Sequence, residues 1–365
     1  MTEQYRNQYN PDLVSSPGDT LDEVLESRGM SQAELAFRTG RPKKTINEII
    51  KGKTAITAET AIQFERVLKI PAAFWIAREQ NYREALARIK ETAALERQAD
   101  WLDQIPYRAM AKLRWVTEYR DKPGQLEEIL RFFAVASPTS WNALWTSSSS
   151  AFRKSPSFIS EPGAIAAWLR KGEIEAALQE CLDFKENDFK LALDKVRSMT
   201  RELPNDFVFR LKNICCPTGV SVVFVPELPG TRAWGATRWL SNTRPLIQLS
   251  LRYKTEDHLW FTFYHEAAHI LLHGKRNVFL ENDQNEQNEK ENEADAFACD
   301  FLIPNLQYRR FCRRGSFSSA AVSRFAYEIG VAAGIVVGRL QHDGYLNKNQ
   351  CNDLKKNIRW VFDKK

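Results

Sequence analysis

A chain of 365 residues is too long for a single small core, so two or three domains are expected. Hydrophobic and charged fractions of 43% and 27% are those of a soluble globular protein, and no apolar run approaches the roughly 20 residues that cross a bilayer. The net charge of +6 permits nucleic-acid binding without requiring it. Residues 1–17, "MTEQYRNQYNPDLVSSP", are polar, lack the apolar centre of a secretion signal and read as a flexible arm. Cys181, Cys215, Cys216, Cys299, Cys312 and Cys351 form no Cys-x-x-Cys pair and no dense framework, and they read as reduced, mostly buried thiols. The expected location is therefore cytoplasmic, without a membrane.

Residues 18–88 read as a run of short helices. "TLDEVLESRG" stops at a glycine, and "SQAELAFRTG" opens on a serine cap and stops at another. "RPKKTINEIIKGK" and "TAETAIQFERVLKI" follow, with Pro71 as a break before "AAFWIAREQNYREALARI". Residues 89–212 read as a helical, aromatic middle region with an exposed loop, "TSSSSAFRKSPS", at 146–157. From Gly219 the texture changes. "VSVVFVPEL", "AWGATRWLS" and "PLIQLSL" are rich in β-branched and aromatic residues and predict three strands of a small antiparallel-type sheet. "TEDHLWFTFYHEAAHILLHG" predicts a helix with Thr255 as cap, acids in its first turn and Gly274 as stop. A polar loop, "ENDQNEQNEKENE", then leads to a helix over "ADAFACDFLIP", closed by Pro304. Two further helical patterns, 318–329 and 331–341, precede a tail at 346–365.

In the N-terminal run, "SQAELAFRTGRPKKTINEIIKGK" has the length and glycine break of a helix-turn-helix. On a wheel at 100° per residue, Lys43, Lys44, Asn47 and Lys51 share one face, and Ile46 and Ile49 lie opposite. A cationic face bearing an amide suits phosphates and adenine, and Gln32, near the start of the preceding helix, is placed to reach a phosphate. The competing reading is a solvated lysine face on a small bundle.

In "HEAAH", His265 and His269 are spaced i, i+4, so both imidazoles project from one helix face one turn apart. That arrangement suits one zinc ion, with Glu266 beside it to take a proton from the attacking water. The alternative is a pair of core histidines, which the burial of an unpaired glutamate disfavours. Leu272 and Lys275 occupy the positions where a metzincin has glycine and histidine, so that class is excluded. "ENEAD" offers the third ligand: Glu291 with Asp295 one turn on to hold a histidine Nδ1–H, or Glu293 as the rival. His273 continues the helix face but reads as a helix-end histidine, and His258 and His342 as structural or surface residues.

Two resemblances add to this reading. "TRAWGATRWLS", "PLIQLSLRYKTEDHLWFTFYHEAAHILLHG" and "ENEADAFACDFLIP", within residues 219–340, resemble the ImmA/IrrE family of zinc metallopeptidases. That resemblance implies a gluzincin-like domain over 213–345, with a strand edge that receives an extended peptide. It implies His265, His269 and a glutamate as ligands of Zn2+ and Glu266 as general base. The family's glutamate lies four residues before an Asn or Asp, which points to Glu291 ahead of Asp295. The stretch from Pro17 to Arg88 resembles the Cro/lambda-repressor-type domain of HigA-type antitoxins, except that Arg41-Pro42 opens the recognition helix in place of Ser or Thr. This implies a homodimer, formed through "PAAFWIAREQNY", on a two-fold operator DNA site.

The expected fold class is α+β: an all-α helix-turn-helix domain, a helical middle region, and a gluzincin-like domain with an active-site helix. The expected function is a DNA-binding, antitoxin-like transcription regulator with a zinc endopeptidase domain that hydrolyses a protein substrate, a repressor or a toxin-system partner. The alternative is a non-proteolytic antitoxin or repressor whose zinc domain senses or scaffolds.

Overall fold

The computed structural model describes residues 15–152, 161–202, 204–274, 279–282 and 289–359. The expected arm falls outside these residues except for its last three. The chain divides into two compact units, 1–99 and 100–365.

The first unit is helical. α1 (Pro17–Ser27) starts on a capping box in which Ser16 and Asp19 each bond the other's backbone N–H. α2 (Gln32–Thr39) is capped by Ser31 and ends at Gly40, whose φ of 67° only glycine adopts without strain. α3 (Lys43–Ile50) starts without a side-chain cap. Pro42 sits at the cap position itself, one residue before the first helical position where the sequence placed it. α4 (Ala58–Leu68) is capped by Thr57, and α5 (Ala72–Glu96) runs for 25 residues, through the expected boundary at 88. The core joins Leu21, Leu35, Phe64, Leu68 and Trp75 to Ile46 and Ile49, the two that helical spacing assigned inward. At Gly18 an added Cβ would lie 2.3 Å from the Ile49 carbonyl oxygen, so glycine sets how closely α1 approaches α3.

The second unit holds α6 (Tyr107–Lys112), α7 (Lys122–Phe133), α8 (Pro138–Phe152), α9 (Pro162–Ala177), α10 (Glu186–Met199) and α11 (Phe207–Cys215). Strands β1 (Ser221–Phe224), β2 (Ala233–Ser241) and β3 (Arg244–Leu249) follow, then α12 (Glu256–Leu272) and β4 (Phe279–Asn282). The unit continues through α13 (Glu289–Leu302), α14 (Asn305–Arg313), α15 (Ser319–Ile329) and α16 (Ala333–His342). The sheet order is β1-β3-β2-β4. It is mixed rather than antiparallel throughout, because β1 pairs parallel with β3 while β2 pairs antiparallel with β3 and β4. A hairpin joins β2 to β3, but the long connection from β1 returns the chain to β3 in the same sense.

Strand alternation builds three layers. Val223, Leu246 and Ala236 pack under α9 with Ile165, Trp168 and Leu169. Val222, Ile247 and Leu249 face the other way, toward Phe263 and Ala267 of α12. Part of the middle region thus forms one face of the sheet sandwich, and Phe189, Leu193 and Leu211 of α10 and α11 join the core of α12. The lock is polar as well as apolar: Arg238 donates to Glu173 (2.8 Å) and to the Leu169 carbonyl (2.6 Å), and Gln248 donates to the Trp168 carbonyl (2.7 Å).

Several expectations are corrected. The segment 146–152, expected as loop, continues α8, and the rest of that loop lies outside the described residues. The polar loop after α12 contains a fourth strand, β4, and α13 starts at Glu289, inside the stretch expected as loop. Chain composition hides both, because β4 is held by pairing with β2 rather than by its own propensity. Cys181 and Cys216 form a disulfide and are not reduced thiols; folding brings together residues 35 apart in the chain. Among the free cysteines Cys215 is buried, while Cys299, Cys312 and Cys351 are half-buried. The expected tail is packed as far as Ile358, whose N–H donates to the Lys254 carbonyl beside the start of α12. Among the described residues no single helix is long and apolar enough to cross a membrane.

Candidate metal centre and nucleic-acid interface

α12 is buried on all sides for most of its length, which is why its sequence from Leu259 onward is apolar apart from Thr262 and the residues that carry chemistry. His265, Glu266 and His269 are all buried. The sheet holds the helix at this level. Thr237 of β2 donates its hydroxyl to the Glu266 carbonyl at 2.9 Å. At Gly235, two residues earlier, an added Cβ would lie 2.5 Å from Glu266 Oε1 and 2.7 Å from Thr262 Cγ2. The glycine makes room for the carboxylate between strand and helix.

α13 crosses this helix face with its acids one turn apart. His265, His269 and Glu291 each offer one ligand atom, and these atoms lie within 4.8 Å of one another. Nε2 of His265 is 3.0 Å from Nε2 of His269 and 3.1 Å from Glu291 Oε2, which is 3.6 Å from His269 Nε2. On the far side of the ring, His265 Nδ1 is 2.8 Å from Asp295 Oδ1. His269 Nδ1 is 2.7 Å from His273 Nδ1, and His273 Nε2 is 3.0 Å from Glu293 Oε2. Glu293, the rival third ligand, is therefore turned to His273, and Glu291 joins the two imidazoles. His273 closes the helix end as expected, but it is buried and bonded on both ring nitrogens. His258 stacks on Tyr253 with ring centroids 4.4 Å apart, and His342 is exposed and pairs with Asp343.

The charge state suits a cation. Burial lowers His269 to about 4, so its imidazole is neutral at pH 7. Burial alone would raise Glu291, but hydrogen bonds from His265 and His269 outweigh it and hold the carboxyl at about 2. Two imidazoles and one carboxylate, brought together at one point, are a three-ligand donor set of the kind zinc accepts with a position left open.

In the first unit, Lys43, Lys44 and Lys51 are exposed along α3 and Asn47 is half-buried. Asn47 Nδ2 donates to Gln32 Oε1 at 3.3 Å, which aligns the two amides across the α2–α3 corner. Lys44 lies 3.9 Å from Glu48, an exposed pair that the sequence did not weigh and that costs little to break. Ile46 and Ile49 face the core, opposite the lysines.

Residues 21–75 match the family described as helix-turn-helix, and residues 223–340 match the IrrE N-terminal-like domain, a family classed by name among the peptidases. Over 71 residues the chain is 32% identical to Virulence-associated protein A of Dichelobacter nodosus, across 19% of this chain and 68% of that protein. A solved addiction module antidote protein of a HigA family from Coxiella burnetii is 26% identical, with coverage of 23% of this chain and 92% of that chain and a TM-score of 0.22. The chain carries a helix-turn-helix domain, and its residues 223–340 match the IrrE N-terminal-like family.

Within the residues matched to the IrrE N-terminal-like domain, the metal-competent group spans two of the helices, α12 and α13. Sequence reasoning did not find Gly235 and Thr237, since their role depends on β2 lying against α12. His273 continues the helix face as read from the sequence, while its bonds to His269 and Glu293 depend on α13.

Proposed function

We propose that this protein is an antitoxin-like transcription regulator whose IrrE N-terminal-like domain is a zinc-dependent endopeptidase acting on a protein substrate. The observation that carries the peptidase half is the convergence of His265, His269 and Glu291 within 4.8 Å, with Glu266 on the same helix and buried beside β2. Zinc held there would supply a Lewis acid that polarises the scissile carbonyl and lowers the pKa of water. His265, His269 and Glu291 would hold the ion, and Asp295 would fix the His265 ring by accepting from its Nδ1–H. Glu266 takes the proton from the attacking water and delivers it to the leaving amine. The buried walls formed by β2 and α12 keep bulk water from its carboxylate.

The DNA half is supported by the family match over 21–75 and by the exposed lysine face of α3 with Asn47 and Gln32 at its centre. Lys43, Lys44 and Lys51 would contact phosphates, and Asn47 would read a base edge in the major groove. A homodimer on a two-fold operator is the assembly this reading entails. The half-exposed Phe74 and Ile76, which flank the buried Trp75 on α5, support it. The substrate class is a repressor or a toxin-system partner encoded nearby.

The test is incubation of zinc-loaded protein with the purified products of neighbouring genes, followed by intact-mass analysis, with Glu266→Gln as control. The parent should cleave one of them and the variant none. Equal cleavage by both would remove Glu266 from the mechanism. A chain that binds zinc but cleaves nothing would favour the sensing or scaffolding role.

A further inference from the structure

We infer that His273 and Glu293 form a positioning arm for the metal centre, in which His273 accepts the Nδ1–H of His269 and Glu293 anchors His273. The inference rests on the proposed zinc site and deepens it. His265 and His269 are supported differently. His265 leans on a carboxylate directly, through Asp295 at 2.8 Å, whereas His269 leans on a second imidazole at 2.7 Å. If Nε2 of His269 faces the metal with its lone pair, its proton sits on Nδ1. That nitrogen then donates to His273 Nδ1, which must be the acceptor tautomer. His273 consequently carries its own proton on Nε2, and this nitrogen lies 3.0 Å from Glu293 Oε2. One choice of tautomer at the metal thus sets the direction of every hydrogen bond out to Glu293.

Geometry leaves this arm no role as a ligand. His273 lies at the C-terminal cap of α12, two turns from His265; its Nδ1 meets the Nδ1 side of His269 and its Nε2 meets Glu293, so neither nitrogen joins the converging ligand atoms of His265, His269 and Glu291. The helix-dipole role that a terminal histidine often plays does not need a buried ring bonded at both nitrogens. Glu293 is about half exposed, and together with His273, Leu272, Gly274, Glu289 and Lys290 it lines a cavity of about 470 Å³. Water there can replace the Glu293 carboxylate, but it cannot replace the buried His273 ring. His273 should therefore matter more than Glu293. Outer hydrogen bonds of this kind typically govern about 10- to 100-fold in metal affinity.

The experiment measures zinc affinity of the full chain by chelator competition, and the visible spectrum of the cobalt-loaded form, for the parent, His265→Ala, His273→Leu, His273→Asn and Glu293→Ala. Asparagine places an amide oxygen near the position of Nδ1 and keeps the acceptor; leucine removes it. Expected are a loss of about 10- to 100-fold in zinc affinity with an altered cobalt spectrum for His273→Leu, and a smaller loss for Glu293→Ala. Recovery of most of the affinity and of the parent spectrum is expected for His273→Asn. Melting of the metal-free variants reports folding separately, and if His273→Leu does not fold, the comparison of His273→Asn with the parent and Glu293→Ala decides. Parent-like affinity in His273→Leu, or no recovery in His273→Asn, overturns the positioning role while leaving the zinc site in place. If the parent binds no zinc, or His265→Ala binds it as the parent does, the zinc site itself falls and the arm with it.

Discussion

Glu256 gives the sharpest thermodynamic test of the second unit. It is fully buried in the first turn of α12, where its Oε1 accepts from the Lys356 N–H at 3.2 Å. Among the described residues its Oε2 has no hydrogen-bond partner, and α16 presses close enough at Gly334 that an added Cβ would lie 2.6 Å from Oε1. Burial, the largest cause, raises the carboxyl from 4.5 to about 7, and the Lys356 contacts offset only part of it. A raised folded-state value means that the folded chain holds the proton longer than the unfolded chain does. The stabilising contribution is therefore complete below about pH 4.5 and is lost as pH rises through about 7. A shift of this size is worth up to about 3 kcal/mol, and solvent screening reduces that to roughly 2 kcal/mol. Glu256→Gln mimics the protonated acid at every pH. The variant should come closest to the parent at the acid end of the range and exceed it at pH 8 by roughly 2 kcal/mol, or about 4–8 °C in Tm for a unit of this size. Calorimetric melting of both chains from pH 5 to pH 8 reads the difference directly, since other titrating groups cancel. A constant offset across that range, or a less stable variant at pH 8, would refute the burial argument.

Gly235→Ala should drive a methyl group into Glu266 and Thr262, destabilise the unit by about 1–3 kcal/mol and abolish peptidase activity before zinc binding, as melting and metal analysis of one preparation would show. Glu291→Ala should weaken zinc binding far more than Glu293→Ala, and metal analysis showing the reverse order would move the third ligand to Glu293. Arg238→Leu leaves the Leu169 carbonyl without its side-chain donor and Glu173 with Arg170 alone, at a cost of about 1–3 kcal/mol by urea titration; a near-neutral result would show that this lock is dispensable. In gel-shift titrations over several salt concentrations, Lys44→Ala should weaken binding to all DNA and lower the salt slope by about 0.9. Asn47→Ala should instead relax choice at one base pair per half-site by about 1–3 kcal/mol; identical behaviour of both variants and the parent would make α3 a protein-interaction surface.

Much of this was legible along the chain because the relevant distances are local. The serine cap at Ser31, the glycine stop at Gly40 and the inward spacing of Ile46 and Ile49 are set within a few residues of each position, whereas the Ser16 cap lies in the stretch expected as arm. The i, i+4 histidines and the Glu-x-x-x-Asp pair at Glu291 and Asp295 are likewise helical facts. What stayed illegible depends on chain segments far apart in sequence. β4 exists through its pairing with β2, the Cys181–Cys216 disulfide through the meeting of the segment after α9 with the end of α11, and the packed end at Ile358 through the start of α12.

The sequence by itself determined which residue types stand one helical turn apart, and so which faces carry lysines, carboxylates and imidazoles. Spacing on a helix is set by backbone geometry, which every residue obeys alike. Only the tertiary structure decided the partners across elements. The crossing of α12 and α13 gave Glu291 to the two imidazoles and Glu293 to His273, although both glutamates stand on the same turn of the same helix. The approach of β2 decided that position 235 must be a glycine, because the carboxylate of Glu266 occupies the space where a side chain would begin.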